Sequence, residues 1–223
     1  MINNEWINIK NWAINNQLSI NETKTKVIQF HRPNTPCHDR DTQEEIIING
    51  NKLKIMPSIN ILGIDLSSNL GIGAHVNSLI KKINKILFTM HAMKNRGMNQ
   101  QNLYDIYNSL INTRMFYCSS SWTLLATKED IGHLEKVVKK AVKWHYANPN
   151  IEGFIKSAES NSDKLFTNIL RYDDHPLCHL LPEIKDTGHN TRKNRHDRIL
   201  PNMTVPHDTC NFIFYQLFKH INI

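Results

Sequence analysis

Cysteine is scarce and scattered in this chain of 223 residues: Cys37, Cys118, Cys178 and Cys210 lie far apart and form no Cys-x-x-Cys pair. That spacing argues against a disulfide framework. No apolar run approaches the roughly 20 residues needed to cross a bilayer. The opening MINNEWINIK lacks the apolar core of a secretory signal. These absences predict a reduced, intracellular protein of the nucleus or cytoplasm, with no membrane partner. Acidic side chains are also in deficit, 20 Asp and Glu against 27 Lys and Arg, which leaves a net charge of +7 with twelve histidines uncounted. A basic balance of this kind attracts polyanions, either nucleic acid or anionic lipid. Hydrophobic residues make up 40% of the chain, enough for a core. No internal repeat is visible, and the plentiful asparagines are too evenly spread to form a low-complexity tract.

The first residues, with apolar groups at Trp6, Ile9, Trp12 and Ala13, follow helical spacing to about residue 17, where SINE breaks it. KTKVIQF then reads as a short β-branched strand, and the prolines and charges of HRPNTPCHDRDTQEE as a loop. In EIIINGNKLKIM the Asn49-Gly50 pair between two apolar runs predicts a hairpin, because both residues tolerate the positive φ angles of a type I′ turn. INILGIDL, after Pro57, is a further strand.

From His75 the period changes. Val76, Leu79, Ile80, Ile83, Ile86, Leu87, Met90 and Met93 fall on one helical stripe, with Lys81, Lys82 and Lys85 away from it. Two more helical stretches follow, residues 100–122 with a break near Asn112, and residues 128–146. In the second, Leu134, Val137, Val138, Ala141 and Val142 make the apolar face, and Lys136, Lys139, Lys140 and Lys143 cover the rest. Beyond ANPNIEG the pattern weakens, to a short helix over residues 165–170, a basic loop over 185–198 and an amphipathic piece over 211–220. Trp6, Trp12, Trp122 and Trp144 all sit where a helical apolar face would bury them, so they read as core residues.

The order of these elements carries a resemblance. Trp12, Asn16, Leu18, Ile20, Asn21, Lys24, Thr25 and Phe30 fill the frame W-x3-N-x-L-x-L-N-x-x-K-T-x4-F. Leu62, Gly63, Asp65, Leu70, His75 and Val76 fit a Leu-Gly strand followed by L-x-W-x-x-H-I, and YNSLINTRMFYCSSSW ends in Tyr117-x4-Trp122. In this the chain resembles the reverse transcriptases of non-LTR, jockey-like retrotransposons, whose palm motif D, primer grip (motif E) and thumb helix follow in that order. HPLCHLLPE and RILPNMTVPHDTCNFIF are similar to that family's C-terminal region. Two positions depart from the pattern: Ile61 stands where an aromatic precedes Leu-Gly, and Ile72 where a tryptophan precedes the histidine.

The resemblance implies an α+β chain. Residues 1–70 would be a palm remnant with a small antiparallel β part, 71–148 a helical thumb, and 149–223 an irregular, loosely structured tail with short helices. Leu62, Gly63 and His75 would join Lys81, Lys82 and Lys85 in holding an RNA/DNA template-primer duplex, and the loop residues Arg192, Lys193 and Arg195 offer further cations for phosphate. Lys24 matches a motif D lysine that acts as a general acid on the departing pyrophosphate. Polymerisation also needs two Mg²⁺ ions clamped by carboxylates from two strands. Those belong to motif A and a Y/F-x-D-D hairpin, which the frame places upstream of this chain. The chain alone is therefore expected to be an inactive fragment without a cofactor, and a truncated palm is expected to self-associate through uncovered apolar surface.

Tyr172-Asp173-Asp174 imitates the polymerase box, but Arg171, His175 and Pro176 flank it where apolar strand residues belong. It reads as an acidic turn. His175, Cys178, His179, His207 and Cys210 form two His-x-x-Cys pairs of the kind that hold zinc, though structural zinc more often uses Cys-x-x-Cys; a small zinc-stabilised module is thus one alternative. The other is a basic helical nucleic-acid-binding or adaptor module with no polymerase ancestry.

Overall fold

A computed structural model describes residues 2–21, 24–31, 47–48, 51–185, 196–203 and 206–219, for a few of them the backbone alone. The chain divides into two compact units, Met1–His75 and Val76–Ile223. Its class is α+β, a small β part followed by a helical bundle.

The first unit opens with α1 (Ile2–Asn15), and its described residues continue through the short strands β1 (Val27–Ile28), β2 (Ile47–Ile48), β3 (Asn51–Lys52), β4 (Ile55–Met56), β5 (Ser58–Ile61) and β6 (Ile64–Ser67). β2 and β3 pair antiparallel around residues 49–50, as the sequence predicts, although those two turn residues lie outside the description. Two features differ from the expectation. β1 runs parallel to β4, with Val27 opposite Ile55, so the β part is not wholly antiparallel. INILGIDL is not one strand but the β5–β6 hairpin, turned at Leu62 and Gly63 with φ of 48° and 89°. The Asn60 side chain holds that turn, its Oδ1 accepting the Gly63 N–H (3.1 Å) and its Nδ2 donating to Asp65 Oδ1 (2.7 Å). A type I′ turn needs only two left-handed residues, and apolar Leu62 concealed one of them.

α1 buries Ala13 but leaves Ile7, Ile9, Trp12 and Ile14 in solvent, Trp12 at 60%. Trp12 is therefore not a core residue, against the sequence expectation. The helix pattern predicts apolar positions; it does not supply the partner layer that would cover them.

The second unit begins inside α2 (Gly73–Asn95) and continues through α3 (Gln100–Ile106), a π-helical turn at Tyr107–Asn112, α4 (Thr113–Met115), α5 (Ser119–Trp122), α6 (Lys128–Lys143), α7 (Phe154–Arg171) and α8 (Phe212–Lys219). The expected stripe holds, with Val76, Ile83, Leu87 and Met90 essentially inaccessible. Leu103, Tyr107, Ile111 and Met115 are buried too, and they recur every four residues. In an α-helix each such step overshoots a full turn by about 40°, so the stripe would drift round the axis. The wider i→i+5 turn at Tyr107–Asn112 absorbs that drift. The break expected near Asn112 is thus a change of winding, and the chain turns only at Cys118, whose φ is 49°.

Thr127 and Asp130 form a reciprocal capping box at the start of α6, Thr127 Oγ1 accepting the Asp130 N–H (3.1 Å) while Asp130 Oδ2 accepts the Thr127 N–H (3.1 Å). Trp122 and Phe154 stack at 5.9 Å and Phe154 and Phe116 at 5.4 Å, joining three elements through one aromatic column. A second cluster, Phe166 and Ile169 with Ile213 and Leu217, docks α8 on α7, and Lys219 Nζ reaches Asp163 Oδ1 at 3.1 Å beside it. The loosely structured tail expected over 149–223 is corrected accordingly: its helix runs 18 residues, not six, and α7 packs against α5, α6 and α8. Residues 186–195, including Arg192, Lys193 and Arg195, lie outside the description. No helix among the described residues is long and apolar enough to cross a membrane.

Three helices close alike. After α1, α2 and α6 the chain passes through one left-handed residue, Gln17 (φ 57°), Gly97 (φ 88°) or His145 (φ 61°). The next N–H then bonds back five residues: Leu18 to the Ala13 carbonyl (2.8 Å), Met98 to Met93 (3.1 Å) and Tyr146 to Ala141 (2.8 Å). This is the Schellman closure, which favours glycine at the left-handed site. Only α2 has it. Gln17→Gly and His145→Gly are each expected to stabilise their unit by about 0.5–1 kcal/mol, the left-handed cost of a side chain less the extra unfolded-state entropy of glycine. Melting temperatures should rise by roughly 2–8 °C for the first unit and roughly 1–4 °C for the larger second; a fall in either would mean the side chain contributes more than the backbone strain it imposes.

Candidate nucleic-acid interface

The last turn of α6 and its Schellman closure place Trp144, His145 and Tyr146 beside α2, and between them lies a groove of about 630 Å³. Its eleven lining residues include the lysines Lys94, Lys140 and Lys143 and no carboxylate. α2 contributes Asn84, Leu87, Phe88, His91 and Asn95 besides Lys94.

The floor is aromatic and held from several directions. Trp144 and Tyr146 meet edge to face at 5.8 Å. Lys140 Nζ stands 4.5 Å over the Trp144 ring, and Lys94 Nζ 5.6 Å over that of Tyr146. Lys94 also donates to the Trp144 carbonyl (2.8 Å), and Gln100 Nε2 donates to that of His145, so carbonyls orphaned at the end of α6 find partners. The Tyr146 hydroxyl lies 3.2 Å from His91 Nδ1, and His91 Nε2 lies 3.2 Å from Asn95 Nδ2. Burial raises the Tyr146 phenol above its ordinary value. Two groups remain open: Phe88 is 75% exposed, and Lys143 makes no ion pair or hydrogen bond among the described residues.

The three lysines singled out by the sequence are exposed, as expected of residues off the apolar stripe. They do not share one surface. At about 100° per residue, Lys81 and Lys85 fall within about 60° of Phe88 around the α2 axis, whereas Lys82 lies about 120° from it. Lys81 and Lys85 thus stand along α2 on the Phe88 side, outside the lining of the groove, and Lys82 faces elsewhere. Leu62 and Gly63 form the tip of the β5–β6 hairpin, with Leu62 83% exposed; His75 is buried in the first turn of α2 and offers no surface to a ligand. Lys24 is exposed in a turn preceding β1, its N–H bonded to the Asn21 carbonyl and side chain (3.2 Å each), rather than on the strand itself.

Asp173 and Asp174 occupy an exposed turn after α7, closed by the His175 N–H on the Tyr172 carbonyl (3.0 Å). The His175 Nδ1 atom accepts the Leu177 N–H (3.1 Å). Among the described residues no three His, Cys, Asp or Glu side chains gather as metal ligands.

Sequence reasoning missed Phe88 and Trp144. Phe88 sits one residue past Leu87, off the buried stripe, which is a legible signal in retrospect. Trp144 follows Ala141 at helical spacing and so reads as core; it is 37% exposed because the helix ends at Lys143 and the chain swings away. No family model, curated protein or solved structure matches the chain.

Proposed function

We propose that the chain is the palm and thumb part of a non-LTR retrotransposon reverse transcriptase, and that its second unit grips the template-primer duplex. The observation supporting this reading is a groove lined by Lys94, Lys140 and Lys143 and by no carboxylate, with the exposed ammonium groups of Lys81 and Lys85 further along α2. Such a surface pairs with phosphate irrespective of base sequence. The ordered frame from Trp12 to Trp122 supplies the polymerase connection. The metal-binding carboxylates of that family are not among the residues that fill the frame, so this chain contributes grip rather than chemistry.

The test is equilibrium binding to a labelled RNA/DNA hybrid across a salt series. A linear fall of log K with log salt supports the grip; no binding at low salt overturns it. The exposed apolar face of α1 extends the reading to self-association. Sedimentation should show concentration-dependent oligomers that Trp12→Glu weakens, and a monomer at all concentrations would remove that part of the proposal.

A further inference from the structure

We infer that the groove between α2 and the end of α6 receives one unpaired nucleotide, its base laid against Phe88 and its phosphate held by Lys140 and Lys143. The inference rests on the nucleic-acid reading above but assigns this site a different part of the ligand. A base inside a duplex is stacked on its neighbours and presents no face to a protein side chain; an unpaired base does. Phe88 is an aromatic ring left 75% exposed while the neighbouring apolar side chains Ile83, Leu87 and Met90 are buried, and it borders the groove rather than standing alone on the surface. A nonpolar partner would explain the ring but not the lysines. An inorganic anion would explain the lysines but not the ring. A nucleotide joins both, a flat apolar face to one or two negative charges, and about 630 Å³ lies in the range of small-ligand sites.

The polar groups around the ring fit the same ligand. Asn84 and Asn95 carry amides that both donate and accept, as the edge of a base does. The contacts of His91 with Tyr146 and Asn95 hold these walls in place without spending Lys140 or Lys143. Lys140 lies over the Trp144 indole, and a phosphate within reach offers it a stronger, oppositely charged partner. Movement of that ammonium, or approach of a base to the ring, alters the emission of Trp144.

The full chain is titrated with a blunt RNA/DNA hybrid, with the same hybrid carrying a single-stranded overhang, and with the overhang sequence alone, at one salt concentration. The overhang is expected to strengthen binding roughly 5- to 100-fold, the usual worth of one stacked base. Phe88→Ala should return the ratio of overhang to blunt affinity to one, and Phe88→Tyr should restore it. An emission change should accompany the overhang and the single strand, and be missing in Trp144→Phe. Far-UV circular dichroism of Phe88→Ala guards against misfolding, which an exposed side chain should not cause. An overhang that binds no better than the blunt hybrid, or a ratio that Phe88→Ala leaves unchanged, overturns the inference while the duplex grip stands. A single strand that binds through Phe88 when the blunt hybrid does not bind overturns the grip and supports the inference. Absence of binding by all three overturns both.

Discussion

Changing Lys81, Lys85 and Lys143 together to alanine should weaken binding of an RNA/DNA hybrid on the order of 10²- to 10³-fold at 0.1 M salt. Each phosphate contact releases close to one counterion, so three lost contacts should make the slope of log K against log salt shallower by about 2.7. These three are chosen because no other described side chain engages them; Lys143 lines the groove, and Lys81 and Lys85 stand beyond it on α2. Lys94 is a poor choice for the same test, since its ammonium already serves the Trp144 carbonyl and the Tyr146 ring. Its loss would disturb the site's shape as well as its charge. Lys82→Ala is the internal comparison. Its position on α2, about 120° from Phe88, should leave the slope nearly unchanged. A Lys82 effect as large as that of Lys85 would mean that the helix, not the groove, determines the contact surface.

Trp122→Ala should cost about 3–5 kcal/mol of stability, the range found when a large buried aromatic is truncated. The indole is 1% exposed, stacks on Phe154 and donates its Nε1 proton to the Tyr117 carbonyl at 3.0 Å. Its removal leaves a cavity under α7 and a carbonyl without that donor. Against a typical domain stability of about 5–15 kcal/mol, that is a large share. Denaturant unfolding of the two proteins, with tryptophan-independent detection by circular dichroism, measures the difference directly. A loss below about 1 kcal/mol would mean that Phe116 and Phe154 close over the space and that the column is softer than its geometry implies. Trp122→Phe, which keeps the stack but not the hydrogen bond, should fall between the two.

The helical half was legible where one period ran unbroken. Val76 to Met93 repeated cleanly because α2 packs along a single face for 23 residues. α7 was not legible in full, although Phe154, Ala158, Phe166 and Ile169 stand at helical spacing on its buried side. The stripe is interrupted by Asn161 and Ser162, and the Ser162 hydroxyl faces that of Ser120 at 3.0 Å, where an apolar residue would be the usual signal. Serine and asparagine are weak helix formers, so the pattern weakened there and tertiary packing overrode it. The β part was read in outline and missed in detail for a different reason. Strands of two to four residues contain too few positions for a period to declare itself. Of the candidate site, the lysines were visible and their grouping was not. Only the turn at His145 brings the end of α6 against α2, and a left-handed histidine does not announce itself as a glycine would.

The four-residue spacing of Leu103, Tyr107, Ile111 and Met115 has an evolutionary corollary. A chain wound this way carries one residue more between α3 and α4 than a regular helix would need to keep its stripe facing inward. Deleting one position within Tyr107–Asn112 would let the segment rewind as regular α-helix, about eleven steps making about three turns, so the stripe would still face inward. Adding one would rotate everything that follows by about 100° about the helix axis and carry Phe116 and Trp122 off the Phe154 column. Length in this segment is consequently constrained in one direction: loss of a codon can pass through it, while gain of one cannot.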